Sequence, residues 1–237
     1  YIQFAEYLAT KLPNTYLTDS RVVENYYLER FNSRSTYIPY GSDVTLLPPG
    51  EILAKYGLEQ GRYILFVGRF VPENCIHHLI EAFRALDTDL KCVIVGDSAY
   101  AEAYVASLRQ SAEGDPRIVF TGYVFGNGYH ELGSNACIFV ETSGVGGTHP
   151  ALVEAMAFGN CVIVNDTPEN LETIGDAGFS YSGQAGAPAL KEVLQKLVEN
   201  LDLAADYGER AREYARIHYS WDAVTDDYER LFQETLR

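Results

Sequence analysis

From about residue 62 onward, short apolar runs alternate with amphipathic stretches along the chain. Residues 63–67, 92–95, 118–120, 137–141, 161–165 and a short 179–181 read as strands. All but the last are nearly continuous in apolar residues, as a sheet covered on both faces requires. Between them the pattern predicts helices at about 75–86, 99–111, 150–158 and 188–200, each with apolar residues three and four positions apart. Ile76, Leu79, Ile80 and Phe83 show that spacing in the first. Strand and helix in turn specify an α/β fold with a Rossmann-like, doubly wound parallel sheet.

Residues 1–45 read differently: helix 2–11, strand 16–19, helix 22–30 and strand 36–39, ending in Tyr40-Gly41-Ser42-Asp43. Two strands are too few for an independent sheet, so this stretch is expected to be the tail of a preceding α/β domain. The only methionine is Met156, and the chain opens directly in a helical period. The sequence is therefore expected to be the later part of a longer polypeptide. Leu47-Pro48-Pro49-Gly50 is the expected linker into a main domain over 46–220. Residues 203–236 read as two helices broken at Tyr219-Ser220-Trp221, with Ser220 capping the second and 221–237 forming a closing helix.

Charge narrows the classes. The 237 residues carry 33 acidic and 18 basic side chains, a formal charge of −15, and 47% are hydrophobic. Nucleic-acid and anionic-membrane binding need clustered cations, which this balance argues against. No apolar run approaches the roughly 18 residues of a spanning helix, and no signal-peptide pattern opens the chain. Cys75, Cys92, Cys137 and Cys161 lie in separate apolar segments without metal or redox spacing. They read as reduced core thiols in a cytoplasmic protein. His77-His78, His130 and His218 lack partners at ligand spacing, so no metal site is expected.

In open α/β sheets, ligands bind beyond the carboxyl ends of the strands. Five loops should meet there: 68–74, 96–98, 121–128, 142–149 and 166–169. The richest is Ser143-Gly144-Val145-Gly146-Gly147-Thr148-His149-Pro150. Its glycines let backbone approach a ligand, and the helix opening at Pro150 aims free amides at the loop, so a phosphate is the natural occupant. Arg69, just after Gly68 at a strand end, can clamp a diphosphate bidentately. Glu154, one turn into the helix, can accept hydrogen bonds from the vicinal hydroxyls of a ribose.

These blocks carry a resemblance. Phe66-Val67-Gly68-Arg69-Phe70-Val71-Pro72-Glu73-Asn74, Val95-Gly96-Asp97, Phe120-Thr121-Gly122-Tyr123-Val124 and the glycine-rich loop running into Glu154-Ala155-Met156-Ala157-Phe158-Gly159 resemble, in order and spacing, the donor half of family 4 glycosyltransferases of the GT-B fold. The Val-Gly-Gly-Thr-His-Pro loop and the Pro-Glu-Asn block are most similar to a bacterial subgroup of rhamnosyl- or glucosyltransferases of surface polysaccharide assembly. Residues 1–45 resemble the end of the family's N-terminal domain, and the Trp221 helix resembles the one that crosses back to it.

The resemblance implies a nucleotide sugar, UDP-, TDP- or GDP-linked, as donor substrate, with no separate cofactor and metal-independent transfer, usually retaining. The acceptor would be a glycan or lipid-linked molecule bound through the missing N-terminal domain, with peripheral membrane contact of the full-length protein. Gly68, Arg69 and Asn74 would face the diphosphate, Glu154 the ribose, the amides of Gly146, Gly147, Thr148 and His149 the distal phosphate and sugar, and the Tyr123-Val124 backbone the base. Two departures stand out. The first of the family's paired glutamates falls on Gly146, which leaves Glu141 as a candidate replacement. The usual lysine falls on Asn74, which leaves Arg69 as the main cation and His149 as a candidate donor to phosphate or sugar. The rival readings are a non-catalytic nucleotide-sugar-binding module and a GT-B-like sugar-nucleotide epimerase.

Overall fold

The computed structural model describes residues 2–236. A small first unit comprises α1 (Ile2–Ala9), β1 (Leu17–Thr18), α2 (Arg21–Phe31) and β2 (Thr36–Tyr37), with β1 parallel to β2. The main sheet follows through α3 (Glu51–Tyr56), β3 (Tyr63–Val67), α4 (Ile76–Arg84), β4 (Lys91–Val95), α5 (Glu102–Ser111), β5 (Ile118–Gly122), α6 (Asn127–Asn135), β6 (Ile138–Glu141), α7 (Pro150–Phe158), β7 (Cys161–Asn165), α8 (Pro168–Ile174) and β8 (Phe179–Tyr181). Three helices close the chain: α9 (Ala187–Val198), α10 (Leu201–His218) and α11 (Trp221–Thr235).

The six strands run parallel in the order β5-β4-β3-β6-β7-β8. Strand order reverses between β3 and β6, and this switch point opens a crevice beyond their carboxyl ends. Alternate side chains of each strand feed opposite faces. Ile64, Phe66, Cys92 and Ile94 enter one core with Leu79 and Phe83 of α4 and Leu190 of α9. Leu65, Val93, Phe139 and Val162 enter the other with Leu152 and Met156 of α7 and Ala211 of α10. Each fully buried side chain of this size contributes about 1.5–3 kcal/mol, so the two layers fix the strand ends that carry the loops. A third, smaller cluster of Ile38, Val224 and Leu231 ties α11 to the first unit.

The α/β architecture matches the expectation, while several boundaries shift for local reasons. The helix expected from 75 starts at Ile76, because Cys75 holds a left-handed φ of 47°. The helix expected from 99 starts at Glu102, and the one expected over 188–200 ends at Val198, where Asn200 caps α10 by accepting from the Leu203 amide. The chain does break at Tyr219-Ser220-Trp221, but the Ser220 hydroxyl makes no capping bond. Ser220 instead pairs its backbone with Ser42, whose amide donates to the Tyr219 carbonyl at 2.7 Å, while the Trp221 ring packs on Gly41.

Three short helices, α3, α6 and α8, were not expected. The segment read as a linker is also fastened rather than free. Glu131 of α6, 9% exposed, accepts from the amides of Gly50 and Leu53 at 2.8 Å each, and the Leu47 amide donates to the Ser134 hydroxyl at 3.0 Å. A carboxylate so placed satisfies the orphan amides at the start of α3.

Candidate functional site

At the switch point lies a cleft of about 820 Å³. Gly68, Arg69 and Asn74 line it from the loop after β3, Val124 from the loop after β5, and Glu141 from the end of β6. Gly146, His149 and Glu154 come from the glycine-rich loop and α7. The Arg69 loop is braced from beneath. The Gly68 amide donates to the Val95 carbonyl at 3.0 Å, Phe70 is fully buried, and the Asn74 side-chain amide donates to the Arg69 carbonyl at 2.8 Å. Asn74 thus works as a support for the backbone of Arg69. The Arg69 side chain is exposed, and among the described residues no carboxylate pairs with it.

The opposite wall is the start of α7. Pro150 occupies the first helical position, and His149 precedes it with extended backbone and no side-chain capping bond; the Leu152 and Val153 amides donate to the His149 carbonyl, which leaves the Ala151 amide and the imidazole uncommitted among the described residues. Gly146 has a φ of 121°, and a Cβ built there would stand 3.3 Å from the His149 ring. The imidazole therefore lies over the place where a side chain at 146 would project. Glu154 accepts a 2.5 Å hydrogen bond from the Tyr129 hydroxyl of α6, which orients one of its oxygens. Burial and the Glu154 charge hold the Tyr129 phenol well above the ordinary tyrosine range, so it remains a donor.

Glu141 is 4% exposed, and one carboxylate oxygen accepts from the Ser143 amide at 2.9 Å. Burial raises its pKa, while the charge of His149 and the Ser143 bond pull it down. A raised folded value means that the fold favours the protonated carboxyl. The resulting penalty is absent below the ordinary carboxylate range, grows as pH rises through it, and is complete above the folded value. Glu141→Gln is therefore expected to stabilise the protein at neutral pH, a gain that disappears in acid. Thermal melts of both proteins from acid to neutral pH check this, and a gain that grows in acid would contradict it.

Three residues expected to contribute through their backbone are not among those that line the cleft, and their side-chain directions point elsewhere. Thr148, 8% exposed, donates its hydroxyl to the Asp19 carbonyl at 2.8 Å, and a Cβ on Gly147 would stand 2.6 Å from the Asp19 carboxylate. Both therefore pack on the first unit, because the loop leaves its glycine at 146 and turns toward β1. Tyr123 swings outward, its hydroxyl donating to the Asp97 carbonyl at 2.9 Å. It stacks with exposed Phe125 at 5.9 Å and 12°, and Phe125 does line the cleft. Phe125 and Tyr129 were both missed, since neither sits in a motif. His77 and His78 point to Tyr104 and Tyr181 respectively, and among the described residues no group of three or more His, Cys, Asp or Glu is arranged to hold a metal ion. No described helix is long and apolar enough to cross a membrane.

Comparison with known proteins agrees with this fold. The chain is 26% identical over 229 residues to the uncharacterized glycosyltransferase MJ1069 of Methanocaldococcus jannaschii, covering 92% of this chain and 57% of the relative. It is 28% identical over 149 residues to O-antigen chain mannosyltransferase B of Escherichia coli, covering 61% and 38%. The chain thus spans about half the length of such relatives. Its fold superposes on that of Anabaena Alr3699/HepE, solved in complex with UDP and glucose, with a TM-score of 0.87 at 18% identity, covering 98% of this chain and 66% of that one. The profile of "Glycosyl transferases group 1" matches residues 50–214, from the segment fastened by Glu131 through most of α10, and the chain belongs to that family.

Proposed function

We propose that the cleft binds a nucleoside-diphosphate sugar and that this chain is the donor-binding part of a glycosyltransferase. The observation that carries the reading is the meeting of the exposed Arg69 guanidinium, the amino end of α7 and the oriented carboxylate of Glu154 around one crevice. Arg69 and the amino end of α7, with its Ala151 amide, suit the two phosphates, Glu154 suits vicinal ribose hydroxyls, and Val124 with Phe125 offers an apolar edge to the base. As the glycosidic bond breaks, negative charge accumulates on the departing diphosphate. A cation and amides fixed beforehand lower that barrier most, and the reading needs neither a metal nor a covalent nucleophile from this half. Glu141 and His149 are the groups available to the sugar. The UDP and glucose bound by the Anabaena protein support this donor class, and the O-antigen relative supports a role in surface polysaccharide synthesis, with transfer to a glycan or lipid-linked acceptor on the full-length protein.

Calorimetric titration with UDP, TDP, GDP and their hexose conjugates tests the reading; no binding by any of them would end it. In the same titrations Glu154→Ala is expected to weaken the preferred nucleotide by about 1–3 kcal/mol, the size of a lost charge-assisted hydrogen bond. Tyr129→Phe, which only releases Glu154, is expected to cost about 1 kcal/mol or less. Glycine at 146 and asparagine at 74, where the resembled family has glutamate and lysine, favour one alternative: a non-catalytic nucleotide-sugar-binding module. Assaying the full-length protein for sugar transfer and donor hydrolysis separates the two.

A further inference from the structure

One carboxylate outside the cleft closes a ring of contacts around the glycine-rich loop. Glu172 of α8 accepts from the Ser20 hydroxyl at 2.8 Å, from the Arg21 amide at 2.8 Å and from the Val22 amide at 3.0 Å. Ser20 is fully buried and its own oxygen accepts from the Val22 amide, so the first turn of the 11-residue α2 is held by an acid from the other unit. Such a carboxylate meets both the orphan amides and the positive end of the helix.

The residue just before Ser20 touches the loop. Asp19 accepts the Thr148 hydroxyl through its carbonyl, and its carboxylate takes the space that a side chain on Gly147 would need. The loop's other end is held from α8 itself. Asn170, 1% exposed, donates its side-chain amide to the Ser143 carbonyl at 3.2 Å and to the Asn165 carbonyl at 3.1 Å. Residues 143–148 are therefore gripped at one end by α8 and at the other by the β1–α2 turn, and Glu172 joins the two grips. Between them lie three glycines, the residue type with the most backbone freedom to lose on ordering.

We propose that Glu172 is a positioning residue: by holding the start of α2 it fixes the Asp19 turn against Gly147 and Thr148 and so presets the glycine-rich loop for its ligand. The ligand half of this statement rests on the donor reading above; the loop half does not. Losing the carboxylate releases the turn, and the loop then pays its ordering cost when the phosphates arrive.

Hydrogen–deuterium exchange and nucleotide titration of the 237-residue chain test this, using Glu172→Ala, Glu172→Gln, Ser20→Ala and the double variant Ser20→Ala/Glu172→Ala. The expected result for Glu172→Ala is exchange at amides 143–149 about tenfold faster or more. The best-bound of UDP, TDP and GDP should also bind roughly five- to twentyfold more weakly. Glu172→Gln, which keeps an acceptor oxygen, should fall between. The double variant should be no worse than Glu172→Ala, because the two groups act as one unit. Should Glu172→Ala fail to fold, the isosteric Glu172→Gln carries the same readouts. Faster exchange confined to α2 and α8, with 143–149 and nucleotide affinity at wild-type values, would reduce Glu172 to a fold-stabilising residue and overturn the proposal. If the wild type binds none of the nucleotides, the donor reading fails, while exchange at 143–149 still decides whether the grip exists.

Discussion

Arg69→Ala is expected to weaken nucleoside-diphosphate binding about 5- to 150-fold, or roughly 1–3 kcal/mol. Among the described residues Arg69 is the only arginine or lysine lining the cleft, and Asn74, at the position where the resembled family carries lysine, spends its amide on the Arg69 carbonyl. No second arginine or lysine among the described residues is therefore at hand to take over. Because the guanidinium is exposed, its contribution should shrink as ionic strength rises through the physiological range. Arg69→Lys should recover only part of the loss, since an ammonium is a point charge without the planar fork that fits two phosphate oxygens. Titration of both variants at low and high salt reads this directly; wild-type affinity in Arg69→Ala would remove the phosphate cradle from the account.

Gly96→Ala is expected to cost about 3–5 kcal/mol of stability, or to leave no soluble protein. Gly96 has a φ of 132°, and a Cβ there would stand 1.9 Å from the Gly68 carbonyl oxygen. The obstacle is backbone, so no rotamer change relieves it; the loop after β3 must move away from β4, breaking the bond from the Gly68 amide to the Val95 carbonyl. The melting temperature should fall by about 10 °C or more at this chain length. Because Gly68 carries Arg69, any protein that still folds should also have lost nucleotide affinity. A melt within two degrees of wild type would show that the close approach can be relaxed cheaply.

What could be read from the sequence was whatever repeats at short range. Apolar runs such as Tyr63–Val67 and Cys161–Asn165 announced their strands, and the glycines before Pro150 announced a loop feeding a helix. Helix α6, with the sequence NGYHELGSN, offers only one strongly apolar residue, Leu132, and α8, PENLETI, is a seven-residue helix that opens at Pro168 with only Leu171 and Ile174 apolar after it, so neither shows an extended periodic face. Both are fixed instead by what they hold: Glu131 the start of α3, Glu172 the start of α2. In the site, Arg69, Glu141 and Glu154 were legible because each sits at the end of a strand or the opening of a helix. Tyr129, which orients Glu154 from 25 residues away, was not, since its role exists only once α6 and α7 pack together. The outward turn of Tyr123 and the burial of Thr148 on Asp19 depend likewise on neighbours far along the chain.

The chain passes between its two units twice, and the passages are neighbours: Ser42 lies beside Ser220, joined by the Ser42 amide, with Trp221 seated on Gly41. Two strands of backbone crossing at one place define a single pivot, like two knuckles on one pin. Swinging one unit against the other would ask for dihedral changes near residues 40–46 and 219–221, because Glu131 and Ser134 clamp the chain from Leu47 onward, and for release of the contacts that Glu172 and Thr148 make with residues 19–22. The crevice walls, from Phe66 to Glu154, all belong to the main unit, so motion of that kind would leave them intact and change only what faces the crevice from outside.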